Sequence, residues 1–212
     1  MKQAHLISFE GGEGCGKSTQ ARLLAEWLKA QGVPTVLTRE PGGTQGAEAI
    51  RQMVLDPPET GWSAEAEALL FAAARADHVA RLIRPALAAG RWVICDRFID
   101  SSLAYQGAAS GIGLAQVRQL HVIGSKGLLP SKTILLDVPP PEAARRIKQR
   151  ENQQTDAIEE RSAAYHQKVA DAFRLLAQQE PERFVVIDGS GAISAIQEQV
   201  RFALRTLLGV ES

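Results

Sequence analysis

One stretch near the start of the chain has the residue types and spacing to handle phosphate. Gly11-Gly12-Glu13-Gly14-Cys15-Gly16-Lys17-Ser18 fits G-x-x-x-x-G-K-[ST] in full. A short apolar run precedes it and a helical pattern opens at Lys17, which is the context the motif requires. Glycines let the backbone wrap so that successive N–H groups converge on phosphate oxygens, and the helix N-terminus adds partial positive charge. Lys17 has the reach for the β- and γ-phosphates of a nucleoside triphosphate, and the Ser18 hydroxyl suits Mg²⁺. The expected ATP contacts are Gly11, Gly12, Glu13, Gly14, Cys15, Gly16, Lys17, Ser18 and the next residue, Thr19. Cys15 reads as a small space-filler, because nothing beside it in sequence supplies a base. A chance lysine after a glycine-rich turn is the bland alternative, and the flanking strand and helix patterns weigh against it.

A second cluster, Asp96-Arg97-Phe98, ends another apolar run. In an open α/β sheet the residues beyond the carboxyl ends of strands line the ligand crevice. Asp96 there suits a metal ion or the positioning of an attacking group, and Arg97 offers a bidentate fork to an acceptor phosphate. A purely structural ion pair is the other reading of these two residues. Arg39 and Glu40 end a further run on the same side, and Arg39, Arg51 and Arg97 could jointly neutralise an acceptor phosphate. An exposed helix arginine needs no special explanation, which makes Arg51 the weakest member. No N-K-x-D element for reading guanine is present.

The elements that must position these groups follow from hydrophobic pattern. Apolar runs at 6–9, 36–38, 92–95, 133–136 and 184–187 lack alternation, as strands buried on both faces of a parallel sheet do. Helical patterns lie at 17–31, 46–55, 64–89, 114–125, 141–150, 157–179 and 193–208, with Gly32 and Gly90 at helix ends. Strands alternating with helices imply right-handed crossovers and a doubly wound five-stranded parallel sheet flanked by helices. With 212 residues and no repeat or linker, one domain over 1–212 is expected.

Composition narrows the class. Lysines and arginines number 24 against 24 acidic residues, so the basic excess usual in nucleic-acid binders is missing. Two cysteines in a chain of this length suit a reduced, cytoplasmic setting, and no apolar stretch approaches membrane length. Neither a nucleic-acid polymer nor a membrane is expected as a partner. Histidines 5, 78, 121 and 166 show no metal-ligand spacing, and Trp27, Trp62 and Trp92 read as packing residues.

Several separate segments, in order, resemble thymidylate kinase of the bacterial kind across nearly the whole chain. They are Phe9-Glu10-Gly11-Gly12-Glu13-Gly14, Arg39-Glu40-Pro41-Gly42-Gly43-Thr44, Leu70-Phe71-Ala72-Ala73-Ala74-Arg75, Asp96-Arg97-Phe98 and Ser101-Ser102-Leu103-Ala104-Tyr105-Gln106-Gly107. The resemblance implies a nucleoside-monophosphate-kinase-like fold, Mg²⁺ with ATP as co-substrate, dTMP as acceptor and a homodimer. Phe71 and Arg75, four apart, share a helix face. By residue type alone they suit a core aromatic and a solvated charge. The resemblance implies instead a plate for a pyrimidine and a donor toward its O4. It also places Ser102 and Gln106 at the base and Tyr105 against the sugar, where a ribose 2′-hydroxyl would be disfavoured. Glu13 it places near the acceptor 3′-hydroxyl or the catalytic groups.

The basic stretch around 145–157 resembles the family's lid over ATP. Bacterial-type members carry basic catalytic residues there because their P-loop has none, and Glu13, Gly14 and Cys15 fit that pattern. Arg146 and Arg150 are the candidates, with a solvated basic helix end as the alternative for each. Where many relatives have an arginine after the lid aspartate, this chain has Ala157. Gly189-Ser190-Gly191, after the last strand, suits an adenine edge.

Overall fold

The structure is a computed structural model that describes residues 3–149, 157–158 and 160–209. The strands are β1 (Leu6–Glu10), β2 (Thr35–Arg39), β3 (Trp92–Asp96), β4 (Lys132–Asp137) and β5 (Phe184–Asp188). All pair in parallel, in the order β2-β3-β1-β4-β5. The helices are α1 (Lys17–Ala30), α2 (Gln45–Leu55), α3 (Ala64–His78), α4 (Arg84–Ala88), α5 (Ile99–Ser102), α6 (Leu114–Ser125), α7 (Pro140–Lys148), α8 (Ala163–Gln179) and α9 (Ile193–Ala203).

Both faces of the sheet are apolar, as the unalternating runs imply. Leu6, Val93, Cys95 and Leu135 point to one side, under the layer that includes Phe98, Leu103 and Phe173. Ile7, Phe9, Ile94, Ile134 and Leu136 point to the other, against Leu24 and Leu28 of α1 and Val200 of α9. Strand side chains alternate faces, so consecutive apolar residues feed two cores. All five expected strands are present, each extended by one or two residues.

The helices differ from expectation in three places besides the last, where α9 stops at Ala203 and a 3-10 turn, Thr206–Leu208, follows. The pattern at 64–89 is divided: a π-helical turn, Val79–Ile83, separates α3 from α4. Pro85 lacks an N–H and its ring crowds the carbonyl four residues back, so the ladder widens just before it. Helix α8 begins at Ala163 because Ser162 caps it, its hydroxyl accepting from the Tyr165 N–H at 3.2 Å. The third difference matters most for the site. Residues 99–109 carry no strong helical pattern, yet α5 runs straight into a second π-helical turn, Leu103–Ala109. Tertiary contacts hold it there: the Tyr165 hydroxyl donates to the Tyr105 carbonyl at 3.0 Å, and Gly107 lies against Leu114.

Candidate active site

The loop after β1 is wedged between the end of β4 and α7. A Cβ on Gly11 would lie 2.6 Å from the Leu136 carbonyl, and one on Gly14 2.6 Å from the Ala143 carbonyl. Both also have positive φ, 135° and 74°, so glycine is required twice over. Gly16 caps α1, and Lys17 curls back so that its ammonium donates to the Gly12 carbonyl at 2.6 Å. The Ser18 hydroxyl donates to Oδ2 of Asp96 at 2.5 Å, joining the first turn of α1 to the end of β3. Oδ1 of Asp96 is buried and has no partner among the described residues. A hydroxyl touching one carboxylate oxygen while the other is orphaned suits a hard, oxygen-seeking cation that keeps several waters, as Mg²⁺ does. No group of three or more metal-ligating side chains exists among the described residues, so phosphate oxygens and water would complete the shell.

The ends of β1, β2 and β3 open on a cleft of about 760 Å³. Arg97, the first residue after β3, has φ 67°, an uncommon value for a non-glycine residue. Buried Glu10 supports that turn. It accepts from the Phe98 N–H at 2.7 Å and the Ser101 hydroxyl at 2.6 Å. Burial, reinforced by the Asp100 charge, pushes the Glu10 pKa up to about 8. The Arg97 guanidinium donates to the Gly11 carbonyl (3.2 Å), the Ser101 hydroxyl (3.0 Å) and Glu13, and lies over the Tyr105 ring. Burial works to raise the Glu13 pKa, but Arg97 and Lys17 overcome it and hold the carboxyl at about 2.

The far end of the cleft is built by α3 and the α5 segment. Glu67, Phe71 and Arg75 recur every four residues and so form one stripe of α3. Arg75 is buried, with Nε donating to Glu40 at 2.7 Å and Nη2 to the Phe98 carbonyl (3.1 Å) and the Ser102 hydroxyl (2.8 Å). Its Nη1 has no partner among the described residues. Glu40 is also bonded by Nδ1 of His78 at 3.0 Å. Although burial opposes it, Arg75 and His78 keep the Glu40 carboxyl below its usual range. Gln106 donates through Nε2 to Glu67 at 2.9 Å, while its Oε1 has no partner among the described residues. The π-helical turn lets adjacent Tyr105 and Gln106 both line the cleft.

Every residue expected to bind the acceptor lines this one cleft: Glu13, Arg39, Glu40, Arg51, Phe71, Arg75, Arg97, Ser102, Tyr105 and Gln106. Arg39 is half-exposed and tied to Glu48 at 3.1 Å, and Arg51 donates to the Pro41 carbonyl at 2.9 Å. Of the phosphate-cradle residues, Glu13, Gly14, Gly16, Lys17, Ser18 and Thr19 face it as well. Arg146 is elsewhere. It donates to the carbonyls of Gly189 (2.8 Å) and Ser190 (3.2 Å), in the loop expected at the adenine, which backs onto the Cys15 carbonyl. Arg150 and most of the expected lid, 150–156, lie outside the described residues.

Sequence reasoning missed Ser101, which lines the cleft, and Glu10 and Glu67, which hold residues that line it. Glu67 carries a signal, because it stands one turn before Phe71 on the same helix stripe as Arg75. Glu10 carries none, since a carboxylate ending a buried strand looks like an ordinary strand terminus.

Phosphate-binding loop, metal-suited Ser–Asp pair and arginine-lined acceptor cleft, all at the carboxyl edge of one parallel sheet, are how P-loop nucleotide kinases are arranged. A sequence model of thymidylate kinase matches residues 9–200. The thymidylate kinase of Rhizorhabdus wittichii is 54% identical over 202 residues, covering 95% of this chain and 97% of its own. Those of Symbiobacterium thermophilum (49% identical, 95% and 93% covered) and Chromohalobacter salexigens (44%, 94% and 94%) are similar along the same length. The chain belongs to the thymidylate kinase family.

Proposed function

We propose that this protein transfers the γ-phosphoryl group of ATP to dTMP, giving ADP and dTDP. The observation that carries the acceptor assignment is a pair of groups at the far end of the cleft that have no hydrogen-bond partner among the described residues. Nη1 of Arg75 is a donor and Oε1 of Gln106 an acceptor, both lining one pocket with the half-buried Phe71 ring. That set complements a thymine edge, whose O4 accepts and whose N3–H donates. Arg97, nearer the P-loop, takes the acceptor phosphate, with Arg39 and Arg51 at its margin.

An acceptor phosphate oxygen attacks the γ-phosphorus in line; the new O–P bond forms as the bond to the β-bridging oxygen breaks and ADP departs. That oxygen is already anionic, so no strong base is needed, and Glu13, held at about 2, is no base. Its part is to orient Arg97. Catalysis rests on positioning and charge neutralisation by Lys17, Arg97 and a lid arginine, Arg146 or Arg150. Ser18 and Asp96 would hold Mg²⁺, which when bound neutralises charge on the transferring phosphates. For Arg146 to take the lid role it must leave the Gly189–Ser190 carbonyls, and its present contacts support the adenine side equally well. We place the lid at 145–157 of a single kinase domain.

The dimer expected from the family is supported by exposed apolar side chains on the packed helices α3 and α6: Leu69, Val122 and Ile123, the last 81% exposed. Apolar side chains grouped this way favour a second copy of the chain as cover. Among the described residues no helix is long and apolar enough to cross a membrane. The two cysteines are unpaired, which supports action in the reducing cytoplasm. The function is tested by incubating the protein with Mg²⁺, ATP and dTMP and quantifying nucleotides. Equal formation of ADP and dTDP is expected; ADP released without dTDP would contradict it.

A further inference from the structure

A glutamine amide is ambiguous by nature, since it can present either its oxygen or its NH₂ group to a ligand. Here the ambiguity is removed. Gln106 is buried, and its Nε2 donates to Oε1 of Glu67 at 2.9 Å. A carboxylate only accepts, so the amide nitrogen must face Glu67, and the amide oxygen is the group left for a ligand in the cleft that Gln106 lines. We propose that Glu67 is a specificity-determining positioning residue: by fixing the Gln106 amide it selects acceptor bases that carry N3–H and rejects cytosine, whose N3 accepts. The inference rests on the reading of Gln106 as a base contact.

Glu67 is itself held. Its other oxygen, Oε2, takes a hydrogen bond from Arg161, whose Nη1 donates to the Tyr165 hydroxyl at 2.5 Å and whose plane lies over the Tyr165 ring. The Tyr165 hydroxyl in turn donates to the carbonyl of Tyr105, the residue before Gln106. The contacts therefore close a ring: Glu67, Gln106, Tyr105, Tyr165, Arg161 and back to Glu67. Each oxygen of Glu67 has one strong donor, and rotating the Gln106 amide would turn its oxygen against a carboxylate.

An oxygen facing cytosine N3 leaves two acceptors opposed and unpaired, which is worth about 10- to 100-fold in discrimination. The test measures kcat/KM for dTMP and dCMP in wild type, Glu67→Gln, Glu67→Asp and Gln106→Leu, with melting temperatures alongside. In Glu67→Gln the new amide can donate to Gln106, so Gln106 can present NH₂. The dTMP-to-dCMP ratio should narrow by about 10-fold or more, through a raised KM for dTMP with kcat within about threefold. Glu67→Asp stays an acceptor but is one methylene shorter; its KM should rise while the ratio stays within about threefold of wild type. It also serves if Glu67→Gln melts below the assay temperature, and an unchanged KM in Glu67→Asp would then overturn the proposal. A ratio narrowed by Gln106→Leu but untouched by Glu67→Gln overturns the role of Glu67 and leaves the base contact standing. A ratio unmoved by Gln106→Leu removes the base contact itself.

Discussion

Arg97 and Glu13 are paired across the mouth of the cleft, and the Tyr105 hydroxyl donates to the same Glu13 oxygen at 3.1 Å. An acid in a phosphate-binding loop would ordinarily repel its ligand. Here its charge is met by the guanidinium we assign to the acceptor phosphate, and the aromatic ring beneath fixes the plane of that guanidinium. Arg97→Ala should lower kcat/KM for dTMP by about 10²- to 10³-fold, the loss usual for one donor aimed at developing charge. Glu13→Gln, which keeps the shape and one acceptor, should cost about 10-fold or less. Because the Glu13 carboxyl sits at about 2, kcat should show no acid limb from it above pH 4. Steady-state kinetics from pH 4.5 to 8 check all three.

The Ser18–Asp96 contact makes a separate prediction. Chelation of divalent cations should stop turnover, and Asp96→Asn should raise the Mg²⁺ concentration for half-maximal rate by about 10-fold or more. The melting temperature should change little, since Oδ1 of Asp96 has no hydrogen-bond partner among the described residues to lose. Turnover that survives excess EDTA would count against Ser18 and Asp96 as a metal site.

Selectivity among imide bases depends on one methyl group. Preference for dTMP over dUMP should fall within about 10- to 200-fold in kcat/KM, the range one such group commonly provides. Phe71→Ala should raise the KM for both by about 10-fold or more while leaving kcat for dTMP nearly intact, because stacking is made equally before and during transfer. Initial-rate comparison of the two acceptors in both proteins settles the point.

Stability should also depend on pH through His121. This ring is buried edge-on to Phe98, with Nε2 donating to the Leu128 carbonyl at 2.6 Å. Burial, then the Arg75 charge, lowers its pKa to about 4, while Glu40 and Asp100 oppose that shift more weakly. A histidine whose folded pKa lies below the unfolded value of 6.5 is protonated first in the unfolded chain. Stability is therefore full above about pH 6.5 and falls as pH drops toward 4, by at most about 3 kcal/mol from this group. Urea unfolding at pH 7.5 and 5.0 should show a larger loss in wild type than in His121→Gln.

Much of this could be read from residue order. The P-loop, the strand-end pairs Arg39–Glu40 and Asp96–Arg97, and the five buried strands depend on local pattern, and each landed where expected. What escaped was decided by tertiary structure. Residues 99–109 have weak helical preference, and only packing against α6 and α8 bends them into the turn that presents Tyr105 and Gln106 together. Glu10 and Arg161 support the site through partners 88 and 94 positions distant, Phe98 and Glu67 respectively, which no local pattern discloses. Arg146, expected over the phosphates, donates instead to the carbonyls of Gly189 and Ser190, partners that helix periodicity does not disclose.

Phosphoryl transfer to a thymine-bearing monophosphate is best checked by kcat/KM with Mg²⁺ and ATP across dTMP, dUMP, dCMP, AMP and thymidine. We expect dTMP first, dUMP lower by about one to two orders of magnitude, and dCMP, AMP and thymidine far behind. Thymidine accepted as well as dTMP would contradict the role given to Arg97, and preference for dCMP or AMP would contradict the base site of Phe71, Arg75 and Gln106.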